Sequence, residues 1–135
     1  MIHTVGPVWE GGNAGEAVIT PGGNLYARYV IHTVGPVWEG GNAGEAERLA
    51  GCYQESLRLA VENDIQNIAF PSISTGIYGY PTEKAAVIAL NAVKEFVNQN
   101  PSAPAAIQFV LFDEATYTCY AVSYTHLTLP TNREV

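Results

Sequence analysis

The sequence predicts an α/β fold with a mainly parallel sheet covered by helices. Short apolar, β-branched runs alternate with longer stretches whose apolar residues recur at helical spacing, and the links between them are brief. That order calls for parallel pairing through right-handed crossovers. Apolar residues make up 47% of the 135 residues, enough for a packed core, and the length suits one domain on a prior of roughly 150 residues.

Tyr29–Val34 (YVIHTV) reads as a buried strand that stops at Gly35-Pro36. Ala46, Leu49, Ala50, Tyr53, Leu57, Ala60 and Val61 then share one helical face, with Glu47, Arg48, Glu55, Arg58 and Glu62 off it, the pattern of an amphipathic helix. Asn67–Ser72 (NIAFPS) is a second strand. The glycine-rich stretch Ser72–Tyr80 comes next, and Pro81 suits a helix's first turn. That helix buries Ala85, Ile88, Ala89, Ala92, Val93 and Phe96; Asn98–Pro104 breaks it, and Ile107–Phe112 (IQFVLF) is the third strand. Asp113 and Glu114 end that strand and would point to opposite sides, as solvated rather than paired carboxylates.

A repeat precedes this pattern. Ile2–Ala17 (IHTVGPVWEGGNAGEA) recurs without one difference as Ile31–Ala46. Solenoids need about three units to bury a core, so two identical copies with nothing similar after them are not solenoid architecture. The copies diverge after a shared Gly-Glu-Ala, as in a recombined or misassembled reading frame or a recent tandem duplication. At the other end, Ser123–Val135 drops the periodic pattern and reads as a tail outside the domain. The expected division is residues 1–14 as duplicate, 15–122 as domain and 123–135 as tail.

Thirteen acidic against six basic side chains give a net charge of −7. This disfavours sequence-independent nucleic-acid binding and anionic membranes, both of which need Lys and Arg. A small phosphorylated ligand stays possible, because backbone N–H groups hold phosphate without basic side chains. Cys52 and Cys119 form no C-x-x-C pair and the three histidines no metal motif, so neither zinc nor a cofactor is expected, and both thiols read as buried and reduced. With no long apolar run and no signal-peptide pattern, the expectation is a cytoplasmic domain without a membrane partner. His3 and His32, two copies of one strand residue, read as structural, and Trp9 and Trp38 as covers for the core edge.

In parallel α/β sheets ligands collect beyond the carboxyl ends of strands, and the segment there is PSISTGIYGYP. Gly76 and Gly79 allow sharp turning and close backbone approach. Successive N–H groups before a helix N-terminus suit a diphosphate. Ser74 and Thr75 add hydroxyl donors, and Tyr78 a ring for a ribose or base. The candidate ligand-binding residues are therefore Ser74, Thr75, Gly76, Ile77 and Tyr78.

Taken together, ITPGGNLYARYVIHTVGPVW, the GCYQESLRLAVEN helix, IAFPSISTGIYGYP and FVLFDE resemble the macrodomain family over roughly Gly15 to Val122. The resemblance implies part of a three-layer α/β/α fold that binds ADP-ribose. It also implies the type of activity that hydrolyses O-acetyl-ADP-ribose or ADP-ribose esters on protein carboxylates, with ADP-ribosylated protein as a partner. The loop matching Ser74–Tyr78 wraps the diphosphate and distal ribose in that family. The family's adenine-binding aspartate, N-A-A-N segment and acidic glycine-rich loop have no counterpart in this sequence, and the duplicate stands in their place. No catalytic residue is therefore assigned, and this chain is expected to bind weakly or to be inactive. The alternatives are a non-catalytic ADP-ribose-binding module and a non-functional fragment. In the family's sheet the N-A-A-N strand is central, so Ile2–Val5 is expected either to fill that slot or to lie at an edge beside Tyr29–Val34.

Overall fold

The computed structural model describes residues 2–5, 13–24 and 27–125. Trp9, the side chain of His3 and the tail from residue 126 lie outside that description. In chain order the elements are strands β1 (Ile2–Val5), β2 (Ala17–Pro21) and β3 (Tyr29–Thr33), helix α1 (Glu45–Glu62), strand β4 (Asn67–Phe70), helix α2 (Thr82–Gln99), strand β5 (Ala106–Phe109) and helix α3 (Glu114–Thr125).

The strands form one sheet in the order β2-β3-β1-β4-β5. β1 runs parallel to β3, with Ile2 opposite Tyr29 and Val5 opposite His32, and parallel to β4, with Ile2 opposite Ile68. The duplicate therefore occupies the central slot and not the edge. β4 and β5 are parallel in register from Asn67–Ala106 to Phe70–Phe109. Only β2 is antiparallel, pairing with β3 from Ala17–Thr33 to Pro21–Tyr29. β2 is an addition to the strands read from sequence. Val18, Ile19 and Thr20 favour extended backbone, and Pro21 is tolerated because the strand is at the edge.

The two copies of Gly-Glu-Ala take different structures. Gly44-Glu45-Ala46 opens α1, whereas Gly15-Glu16-Ala17 enters β2. The next residues in the chain decide between them: Glu47-Arg48-Leu49-Ala50 are good helix formers, while Val18-Ile19-Thr20 are β-branched.

Ile31, Ile68, Phe70, Ile107 and Phe109 belong to one buried cluster with Leu49, Tyr53 and Leu57 of α1, Ala85, Ala89 and Val93 of α2 and Tyr120 of α3. Tyr53 meets Phe70 at 5.0 Å and Phe109 meets Tyr120 at 5.2 Å between ring centres. α1 packs along α2 and α2 along α3, so the sheet and one helical layer of the α/β/α arrangement are in place.

Several sequence boundaries shift. The third strand ends at Phe109, not Phe112, and Asp113 and Glu114 do not finish a strand: they begin α3. Asp113 Oδ1 accepts the Thr116 N–H at 2.7 Å, the capping bond of a helix N-terminus. That bond holds the Asp113 carboxyl below the usual carboxylate range. α3 also runs through Thr125, so Ser123, Tyr124 and Thr125 continue the helix beyond the expected boundary at 122. Pro81 is the N-cap of α2 and not part of its first turn. Cys52 is fully buried and donates to Val34 O at 3.2 Å; Cys119 is only half-buried. No helix among the described residues is long and apolar enough to cross a membrane.

Candidate functional site

Two glycine-rich loops leave the carboxyl ends of parallel strands, one after β3 and one after β4. Their backbone donors separate them. In the first loop Glu45, fully buried, accepts the N–H groups of Glu39 at 2.7 Å and Gly41 at 2.9 Å on Oε2, and that of Ala43 at 2.7 Å on Oε1. The anion-shaped loop is thus already occupied by the protein's own carboxylate. The Gly41 N–H, opposed by burial and joined by those of Glu39 and Ala43, holds the Glu45 carboxyl at about 2 against an ordinary 4.5. A hollow of about 630 Å³ lies against this loop beside Trp38 and Tyr80, whose rings meet at 4.7 Å. Its backbone donors at 39, 41 and 43 are taken.

Glu45 is more acidic folded than unfolded, so its contribution to stability is complete above about pH 4.5 and disappears as pH falls towards 2. Acid titration of the melting temperature should therefore fall more steeply for the wild type than for Glu45→Gln between those values. Parallel curves would remove Glu45 as the loop's fastener.

The second loop is built differently. Phe70 ends β4, and the chain continues through Pro71 and Ser72 into Ser74, whose φ is 69°. Left-handed backbone at a non-glycine residue is uncommon and costs on the order of 1 kcal/mol or more. Ser74 Oγ is buried and has no hydrogen-bond partner, a further cost of about 1–3 kcal/mol. Strain and an unmatched donor thus coincide at one residue. Gly35 makes this placement possible: a Cβ there would lie 2.2 Å from Ser74 Oγ and 2.7 Å from Ile73 Cγ2.

Two backbone bonds close the loop, Gly79 N–H to Gly76 O at 3.0 Å and Tyr80 N–H to Ser74 O at 2.9 Å, and Trp38 N–H ties in Tyr78 O at 2.9 Å. Gly79 has φ 73°, so the turn requires glycine there. Gly76 has no left-handed φ, and a Cβ on it would meet nothing within 4 Å. Its role is to leave space, not to make the turn. Among the described residues, Thr75, Gly76, Ile77 and Tyr78 donate no N–H to another backbone group.

A cavity of about 270 Å³ opens on this loop, lined by Gly35, Pro71, Ser72, Ile73, Ser74, Gly76, Ile77 and Tyr78. Four of the five sequence-predicted residues line it. Thr75 does not: its Oγ1 turns back to Ser72, 2.8 Å from Oγ and 3.2 Å from the carbonyl oxygen. Its hydroxyl is a loop brace instead of the expected ligand donor. Gly35 and Ser72 were missed from sequence, Gly35 having read only as a strand stop. Phe112, 89% exposed, leaves the same end of the sheet just beyond β5. Among the described residues no carboxylate, imidazole or thiol lines the cavity.

The other singled-out residues are accounted for elsewhere. His32 Nε2 lies 3.0 Å from Thr20 Oγ1, in a structural pair between β3 and β2. Trp38 packs on the core edge. Among the described residues no cluster of three His, Cys, Asp or Glu could hold a metal.

The macro domain family model matches residues 10–89 of the chain. Over 106 residues the chain is 53% identical to the O-acetyl-ADP-ribose deacetylase of Citrobacter rodentium, covering 78% of this chain and 59% of that protein. Over 112 residues it is 50% identical to the ADP-ribose glycohydrolase MACROD2 of Homo sapiens, covering 82% and 26% respectively. A mutant of the Oceanobacillus iheyensis macrodomain, solved with ADPR, has the same fold with a TM-score of 0.79 at 40% identity, covering 84% of this chain and 60% of that one. The chain spans less than two thirds of each of these proteins.

Proposed function

Because the chain belongs to the macro domain family, we propose that its second loop binds the diphosphate and distal ribose of ADP-ribose, free, as O-acetyl-ADP-ribose, or attached to a protein. The observation that carries this reading is the contrast between the two loops. The N–H groups of residues 75–78 are unengaged by other backbone groups, beside a cavity that no carboxylate among the described residues lines, while those at 39, 41 and 43 are held by Glu45. In a chain of net charge −7, a site for an anion needs such a local refuge, and oriented N–H groups supply it. Tyr78 lines the cavity, and Phe112 offers an exposed ring at the same end of the sheet for stacking on a base. The names of the deacetylase and glycohydrolase relatives and the ADPR-bound structure support this ligand class.

Our reading for this chain, which spans only part of its relatives, is retention without turnover. Hydrolysis needs a group positioned to activate water or protonate a leaving group, and among the described residues no carboxylate or imidazole lines the cavity. Glu45 has its oxygens on three N–H groups, and His32 is paired with Thr20. Calorimetric titration with ADP-ribose should give saturable binding, and O-acetyl-ADP-ribose should be consumed no faster than in buffer. Robust turnover would restore the hydrolase reading, and absence of binding would leave the non-functional fragment.

A further inference from the structure

Tyr120 lies on α3, yet its hydroxyl reaches the loop after β4. Its ring is fully buried against Phe109, and its OH lies 2.9 Å from Ser72 Oγ. Thr75 Oγ1 lies 2.8 Å from the same Ser72 oxygen. A chain of hydroxyls thus joins α3 to Ser72 and to Thr75, the two residues that bracket Ile73 and Ser74. Tyr53 of α1 also receives the Ile73 N–H, at 3.3 Å. Ser74, flanked in the chain by these braced residues, holds the left-handed conformation that serine ordinarily avoids. A strained conformation persists only where its surroundings over-determine it.

We propose that Tyr120 is a positioning residue for the ligand loop, holding Ser74 left-handed through Ser72 and Thr75 so that the N–H groups of residues 76–78 stay available to the cavity that these residues line. Tyr120 itself touches no ligand. Its functional consequence rests on the ADP-ribose reading above, while its effect on the loop does not. A loop held in the binding geometry before the ligand arrives loses less ordering entropy on binding. This gives α3 a part in recognition although none of its residues lines the cavity.

The test begins with amide hydrogen exchange on the free full-length chain, wild type against Tyr120→Phe, which keeps the ring packing on Phe109. The Ile73 and Tyr80 amides, which bond Tyr53 OH and Ser74 O, should exchange at least about tenfold faster. The amides of Ile68 and Ile107 in the neighbouring strands should be unchanged. Ser72→Ala removes the same brace from its other end and serves if Tyr120→Phe does not fold. Titration with ADP-ribose should then show affinity weakened about five- to tenfold by Tyr120→Phe, and adding Thr75→Val should cost less than the product of the two single losses, because the two share the Ser72 hydroxyl while Thr75 also bonds the Ser72 carbonyl. Unchanged protection at Ile73 and Tyr80 would overturn the proposal, as would loss spread evenly over the strands, or losses in affinity that multiply. If the wild type takes up no ADP-ribose, the ligand reading falls, and the exchange data still decide what Tyr120 does to the loop.

Discussion

Replacing Gly76 with valine is expected to abolish ADP-ribose binding and leave the fold intact. Gly76 lines the cavity, and a Cβ there would meet nothing within 4 Å beyond its chain neighbours. Its φ lies outside the left-handed range, so the strain a side chain meets at Gly79 does not arise there. The new methyl groups would stand in a space of about 270 Å³ that the ligand must share. Affinity should fall by about a hundredfold or more, some 2.7 kcal/mol, with the melting temperature within about 2 °C of wild type, less than about 1 kcal/mol of stability would move it. Calorimetry and a thermal melt on the same sample check both halves. Undiminished affinity would show that the ligand does not approach the loop at Gly76. The neighbouring Gly79→Val should instead lose stability, because φ there is 73°.

The second large effect concerns the duplicate. Deleting residues 1–14 removes β1 from between β3 and β4. Two strands then face each other across an empty position, with N–H and C=O groups unmatched on both sides, at about 1–3 kcal/mol for each one left buried. Even a few such groups would lower the melting temperature by about 10 °C or more in a domain of this size, or drive aggregation through the opened edges. Thermal melts and light scattering on the shortened chain report this directly. An unchanged melting temperature would mean that β3 and β4 close on each other and β1 is dispensable.

The elements with strong periodicity are legible in the sequence itself. α1, α2 and strands β3, β4 and β5 fall where the apolar spacing puts them, to within a few residues at their ends. The β-competent sequence of Ile2–Val5, together with the family's sheet order, makes the central position one of its two expected places. α3 is not legible, because EATYTCYAVSYT carries no apolar stripe and buries only Tyr120. β2 is hidden by the Pro-Gly-Gly that ends it, which reads as a turn. At the site, the glycines and the small polar residues mark the loop, but not which way its hydroxyls turn. Thr75 faces Ser72 only because the chain curls back on itself, and Gly35 meets Ser74 only across two loops. Glu45 is equally hidden: one-dimensionally it is an acid in a helix's first turn, and only the folded loop brings three N–H groups onto it.

One glycine-rich loop has its N–H groups filled by Glu45 and the other leaves them without backbone partners, and backbone amide shifts measured during an ADP-ribose titration test most directly whether a ligand takes the second set. The amides of Gly76, Ile77 and Tyr78 should move progressively and saturate, while those of Glu39, Gly41 and Ala43 stay in place under the Glu45 carboxylate. Saturating shifts centred on residues 39–43, with residues 76–78 still, would contradict it.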